Sequence, residues 1–239
     1  MARRVLLGML TPSSNTVLEP LTTAILAGVP EASAHFGRFR VTEISLAPKA
    51  LGQFDSSKII EAAGLLADAK VGVIAWNGTS AGWLGLERDE KLCAEIAAAT
   101  GIPACTSTLA LREVMRERGH GTLGLVSPYV DEVQRRIVAN FGADGMKVTA
   151  ERHLGVSVNW DFSQAGEEDL TRMVREVAAA RPDAIATYCT NLRAAHLVAA
   201  WEREFGIPVY DSISVVVWKA LKVCGVDPRR IRGWGRLFA

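Results

Sequence analysis

Leu6-Leu7-Gly8-Met9-Leu10-Thr11-Pro12 returns later in the chain as Leu123-Gly124-Leu125-Val126-Ser127-Pro128, and this echo decides the fold. Two more blocks recur in the same order. Val73-Ile74-Ala75-Trp76-Asn77-Gly78-Thr79 returns as Ala184-Ile185-Ala186-Thr187-Tyr188-Cys189-Thr190, and Gly101-Ile102-Pro103 returns as Gly206-Ile207-Pro208. Each of the first two blocks is an apolar run ending in small polar residues, the pattern of a buried strand feeding a loop. Two sets of matching loops around one cleft follow from such a duplication. The copies differ at one chemically decisive position, where Cys189 offers a thiol and Gly78 offers no side chain.

Outward from the repeats, apolar runs of about six residues alternate with longer stretches of helical period, which points to parallel sheets covered by helices. Strands are expected at 5–10, 40–46, 71–76, 102–105, 122–126, 148–154, 183–188 and 209–210. Helices are expected at 16–27, 57–69, 87–99, 108–118, 130–141, 167–180, 191–205 and 214–223. Asp55 or Ser56 can cap the second helix, and Gly101 and Gly206 stand where C-terminal caps belong. The expected fold is α/β: two pseudo-symmetric lobes, each a four-stranded parallel sheet flanked by helices, with the active site between them. The first lobe would take 1–112 and 213–239, the second 113–212.

The chain has 239 residues, 49% of them apolar, and a net charge of +1, so it can bury a sizeable core and carries no basic patch suited to nucleic acid. No apolar run approaches the roughly 20 residues that cross a bilayer. The short apolar run after Met1-Ala2-Arg3-Arg4 has an internal twin and is read as the first core strand rather than a secretory signal. Four cysteines without CxxC spacing suit a reduced, cytoplasmic protein, and four scattered histidines give no metal-ligand pair. Neither a G-x-G-x-x-G after a strand nor a phosphate-binding P-loop motif is present, which leaves no nucleotide signature.

Ligands of open parallel sheets bind beyond the carboxyl ends of the strands. Six segments fall there: 11–16, 77–80, 106–108, 127–130, 189–191 and 211–214. All are rich in hydroxyls, amides and small residues, and most open a helix, so together they suit an anion such as a carboxylate. Taken singly, each Ser, Thr or Asn could equally be a helix cap. Cys189 follows a strand and precedes a predicted helix, a place where backbone donors give a thiol thiolate character. Cys93, Cys105 and Cys224 read as small buried hydrophobes.

Thr11-Pro12-Ser13-Ser14-Asn15-Thr16, Asn77-Gly78-Thr79-Ser80, Ser127-Pro128-Tyr129-Val130-Asp131 and Cys189-Thr190-Asn191 resemble the aspartate/glutamate racemase superfamily. Within it they resemble the branch of maleate isomerases and arylmalonate decarboxylases, over nearly the whole chain. The resemblance implies cofactor-independent chemistry next to a carboxylate. Racemases and maleate isomerases of this superfamily carry a cysteine at both lobe positions, whereas arylmalonate decarboxylases keep only the second. Gly78 with Cys189 matches the latter. By this resemblance Cys189 protonates an enediolate, while Thr79, Ser80, Tyr129 and the backbone N–H of Thr190 cradle the retained carboxylate. Trp76, Trp83 and Leu84 could line the pocket of the departing one.

The first loop resembles the isomerase version, in which the residue matching Asn15 binds substrate carboxylate. Alongside the first loop from Pro12, the polar Asn77, Asn191 and Asp131 suggest a small polar diacid or an amino-acid derivative rather than an aryl malonate, although Asp131 also suits an exposed first helical turn. Three readings follow: a single-cysteine decarboxylase of a malonate-like diacid, a maleate-type cis-trans isomerase, and a carboxylate-binding protein without turnover. The expected partners are a small mono- or dicarboxylate and another copy of the chain in a homo-oligomer, without nucleic acid, membrane, metal or cofactor. His196 is expected to point away from the cleft, and the basic tail 227–236 to be a solvated segment packed on the first lobe or a partner subunit. A thiol grafted at Gly78 is expected to create racemase activity.

Overall fold

The computed structural model describes residues 4–239. The first sheet runs β2-β1-β3-β4, with β1 at Val5–Pro12, β2 at Ala32–Phe39, β3 at Val73–Trp76 and β4 at Ala104–Thr106. The second runs β6-β5-β7-β8, with β5 at Thr122–Ser127, β6 at Lys147–His153, β7 at Ala184–Thr187 and β8 at Val209–Asp211. All pairings are parallel and the strand order is the same in both sheets. Central β1, β3, β5 and β7 are almost wholly buried, as expected of Val-, Ile- and Leu-rich strands covered on both faces.

The helices are α1 (Leu18–Leu26), α2 (Pro48–Leu51), α3 (Ser56–Asp68), α4 (Ala81–Leu84), α5 (Leu86–Thr100), α6 (Ser107–Glu117), α7 (Asp131–Ala143), α8 (Glu167–Ala178), α9 (Val198–Phe205) and α10 (Ser212–Val223). Asp55 caps α3 by accepting from the Ser57 N–H, and Gly101 and Gly206 close α5 and α9 in the left-handed conformation that glycine adopts at no steric cost. Helix α10 follows the last strand of the second sheet but packs on α6, α1 and β3 of the first lobe. No described helix is long and apolar enough to cross a membrane.

One predicted strand is displaced. Residues 40–46 are not in the sheet; the edge strand is Ala32–Phe39, half-exposed and poor in β-branched residues, so its pattern is faint. The Val41 and Ile44 pattern is real but serves another contact. This segment crosses to the second lobe, where Ile44 N–H donates to Ser157 O (2.8 Å), Asn159 N–H donates to Thr42 O (2.9 Å), and Glu43 bridges Val158. The predicted helix from 191 starts only at Val198, after a run of turns and a short 3-10 segment. The tail is less solvated than expected: Ile231, Leu237 and Phe238 are buried, Arg230 pairs with Glu31, and the Arg236 N–H donates to Glu202 (2.7 Å).

Candidate active site

The strand ends interlock the lobes. Asn77 Nδ2 donates to the carbonyls of Leu10 (3.1 Å) and Ala75 (3.0 Å), fixing the start of the 78–80 turn. Across the cleft, Thr190 Oγ1 donates to Asn77 O (3.0 Å) and the Tyr188 hydroxyl donates to Thr79 O (3.0 Å). These bonds bring Pro12, Gly78, Thr79, Ser80, Tyr129, Cys189 and Thr190 around one narrow cavity of about 20 Å³. That is room for one water molecule. Trp76, Trp83, Asn159, Val41, Ile44 and Phe54 complete its lining. A diacid is larger than this space.

Cys189 is 3% exposed, and burial pushes its thiol up to about 12. The Asn191 N–H, 3.3 Å from Sγ, and the Tyr129 hydroxyl pull the other way without cancelling it. Burial outweighs the thiolate character expected at this position: no helix begins at residue 190 to supply a dipole, and desolvation dominates. A protonated sulfur is the state a proton donor requires. Tyr129, also buried, shares a 2.5 Å hydrogen bond with Thr79 Oγ1, and burial holds its phenol well above the usual range. The two hydroxyls and the thiol form one hydrogen-bonding cluster on the cavity wall.

Other candidates are placed differently. Asn15 is fully engaged in structure: Nδ2 donates to Thr190 O and Oγ1 (both 3.1 Å), and Oδ1 accepts from the Val17 and Leu18 N–H groups (both 2.9 Å). It clamps the two lobes together and stands outside the lining of the cavity. Asn191 is likewise removed from the wall, accepting from the Thr16 N–H and donating to Asn159 O. The 106–108 and 211–214 segments also leave the cleft; Thr106 and Asp211 cap α6 and α10, which pack on each other. Asp131 is exposed and bonds His153 (2.8 Å), while Leu84 lines a separate, outer cavity. His196 faces outward and meets Glu167 (3.0 Å).

Gly78 has a reason beyond the missing nucleophile. A Cβ there would lie 1.9 Å from Trp76 Cζ2 and 2.2 Å from Cε2, distances no real contact allows. The indole is pinned by Phe39, with ring centroids 5.1 Å apart. The side of the cavity that would hold a second thiol is therefore occupied by an indole. A graft at Gly78 requires the Trp76 side chain to move.

Sequence reasoning missed Val41, Ile44, Phe54 and Asn159, because they lie in connections that only the tertiary contact between lobes brings to the site. It also missed Asp89, on the wall of the outer cavity of about 250 Å³ that shares Phe54, Trp76 and Ser80 with the inner one. Asp89 is 2% exposed, its Oδ2 has no partner among the described residues, and burial raises its carboxyl to about 7. Thr106 and Arg112 offset this only in part. A folded-state value above the unfolded one of about 3.9 means that folding favours the protonated acid. This contribution is complete below about pH 4 and is lost as pH rises through 7. Asp89→Asn is therefore expected to melt higher than the parent at pH 8, by up to about 4 kcal/mol of stability, with the gap closing towards pH 4. Thermal melts of both proteins across that range check it, and a pH-independent gap would show the carboxyl to be ordinary.

The comparisons with known proteins give the family and the fold. A family model described as arylmalonate decarboxylase matches residues 26–238. The chain belongs to the arylmalonate decarboxylase family. It is 28% identical to a maleate isomerase of Nocardia farcinica, over 97% of this chain and 94% of that protein. It is 27% identical to the arylmalonate decarboxylase of Bordetella bronchiseptica, over 70% of each. Its fold superposes on a mutant Nocardia farcinica maleate cis-trans isomerase carrying a covalently bound succinylcysteine intermediate, with a TM-score of 0.87, 24% identity and 98% of both chains covered. Within the arylmalonate decarboxylase family, similarity thus extends to enzymes of two kinds, isomerases and decarboxylases.

Proposed function

We propose that the protein is a cofactor-independent decarboxylase of a malonate-type diacid, with Cys189 as its single proton donor. The observation that carries this reading is the asymmetry of the cavity: a protonated, buried thiol on one side, and the Trp76 indole against Gly78 on the other. Two-sided proton chemistry needs a second acid or base, and thiol addition from the Gly78 side needs a nucleophile. Decarboxylation needs neither. The bond from the central carbon to one carboxylate breaks, carbon dioxide leaves, and the electron pair passes into the retained carboxylate as an enediolate. The Cys189 S–H then gives its proton to the carbon, and the thiolate regains one from solvent.

The enediolate carries the developing charge, and in this reading the cavity-lining Thr79, Ser80 and Tyr129, with the Thr190 N–H, donate to it. Donors so placed are worth about 100- to 1,000-fold in rate each. The hydrogen bond between Tyr129 and Thr79 orients both hydroxyls before substrate arrives.

The second reading, maleate cis-trans isomerisation with Cys189 alone as reactive sulfur, is favoured by the full-length similarity to maleate isomerases. Incubation with a 2-substituted malonate in heavy water separates the two. We expect carbon dioxide and a monocarboxylate labelled with one deuterium on one face. Conversion of maleate to fumarate, with no carbon dioxide from methyl-, hydroxy- or phenylmalonate, would decide for the isomerase.

A further inference from the structure

Two tryptophans that line the same cavity have buried indole N–H groups with no acceptor among the described residues. They are Trp76, 1% exposed, and Trp83, 2% exposed. Buried donors in native proteins are nearly always satisfied, and an unmet one is costly. Both rings are rigidly held. Phe39 packs on Trp76, while Phe54 and Tyr129 meet Trp83 at 5.8 and 5.3 Å between centroids. Neither indole can turn its N–H to solvent without breaking this packing.

A substituted malonate brings three groups to the cavity, and their chemistry assigns the donors. The retained carboxylate gains charge and belongs with Thr79, Ser80 and Tyr129. The departing carboxylate loses its charge as carbon dioxide forms, so donors aimed at it would hold the ground state and slow the reaction. The third group is the 2-substituent. We infer that Trp76 and Trp83 read this substituent and select one that presents a hydrogen-bond acceptor, such as a hydroxyl or ether oxygen, on a compact malonate. The inference rests on the decarboxylase reading above and adds the substrate class. An aryl group offers these donors only the weak acceptor of its π face, and Trp76 already fills the space beside Gly78.

Hydroxymalonate and methylmalonate are nearly isosteric and differ in this acceptor, so they make the test. Binding is measured by calorimetry on the Cys189→Ala protein, which holds the ligand without turnover. Hydroxymalonate is expected to bind at least about 10-fold more tightly than methylmalonate, and phenylmalonate more weakly than either. Trp76→Phe or Trp83→Phe in that background should reduce the preference for hydroxymalonate over methylmalonate to within about threefold. Because a Phe variant could fold poorly, the Cys189→Ala protein labelled with ¹⁵N-tryptophan gives a second reading. Two of its six indole N–H signals should move downfield on adding hydroxymalonate. Equal binding of the two malonates, tightest binding of phenylmalonate, a preference that survives both substitutions, or unmoved indole signals would each overturn the inference. Failure of every malonate to bind is a different result: it removes the decarboxylase reading itself, and the inference with it.

Discussion

Cys189→Ala is expected to lower the rate of carbon dioxide release or product protonation by about 10²- to 10⁴-fold, the usual worth of a positioned general acid. Residual product formed in heavy water should carry deuterium on both faces, because solvent then delivers the proton without a preferred side. The fold should survive. The side chain removed is one thiol in a wall held by other contacts, notably Thr190 to Asn77 and Asn15 to Thr190. Thermal melting and chiral analysis of the product check both halves of this expectation. A variant that still releases a single labelled enantiomer would place the proton donor elsewhere. The raised thiol pKa adds a sign: the active form is the neutral sulfur, so activity should not rise with pH through the range where ordinary cysteines ionise.

The second large effect concerns the opposite wall. Gly78→Cys is expected to lose about 2–12 °C in melting temperature, since overpacking a rigid site costs roughly 1–3 kcal/mol and each kcal/mol is about 2–4 °C at this chain length. It should show no racemisation, because the added Cβ meets the Trp76 ring at 1.9 Å and that ring is buried against Phe39. Removing the ring as well changes the outcome. The double variant Trp76→Ala, Gly78→Cys provides both the room and the second thiol, and deuterium exchange into both hands of the monocarboxylate product should appear. Racemase activity in the single variant at an unchanged melting temperature would show that Trp76 yields easily, and the one-sided cavity would no longer support the proposed chemistry.

Both expectations concern residues that the sequence could name but not arrange. The repeat already marked Gly78 and Cys189 as counterparts, because duplicated strands place equivalent residues at equivalent strand ends. It could not reveal that the side chain of Trp76, two residues earlier, lies across the space above Gly78. Asn15 and Asn191 show the same limit. Their amides look suited to a carboxylate, yet partners 175 or 32 residues away in sequence, or in the adjoining turn, take up their bonding capacity. Asp89 gave no signal at all, since a carboxylate in the first turn of a helix is ordinarily exposed and stabilising.

What the sequence by itself determined is the pair of parallel sheets, their strand-end loops and the lone thiol among them. Buried strands and amphipathic helices have short periods that a linear reading detects. Tertiary structure alone decided that 40–46 spans the lobes instead of joining a sheet, that the thiol keeps its proton, and which polar side chains remain free for a ligand. Those outcomes depend on desolvation and on which distant group claims each donor or acceptor, and neither is encoded within a few residues of the atom concerned.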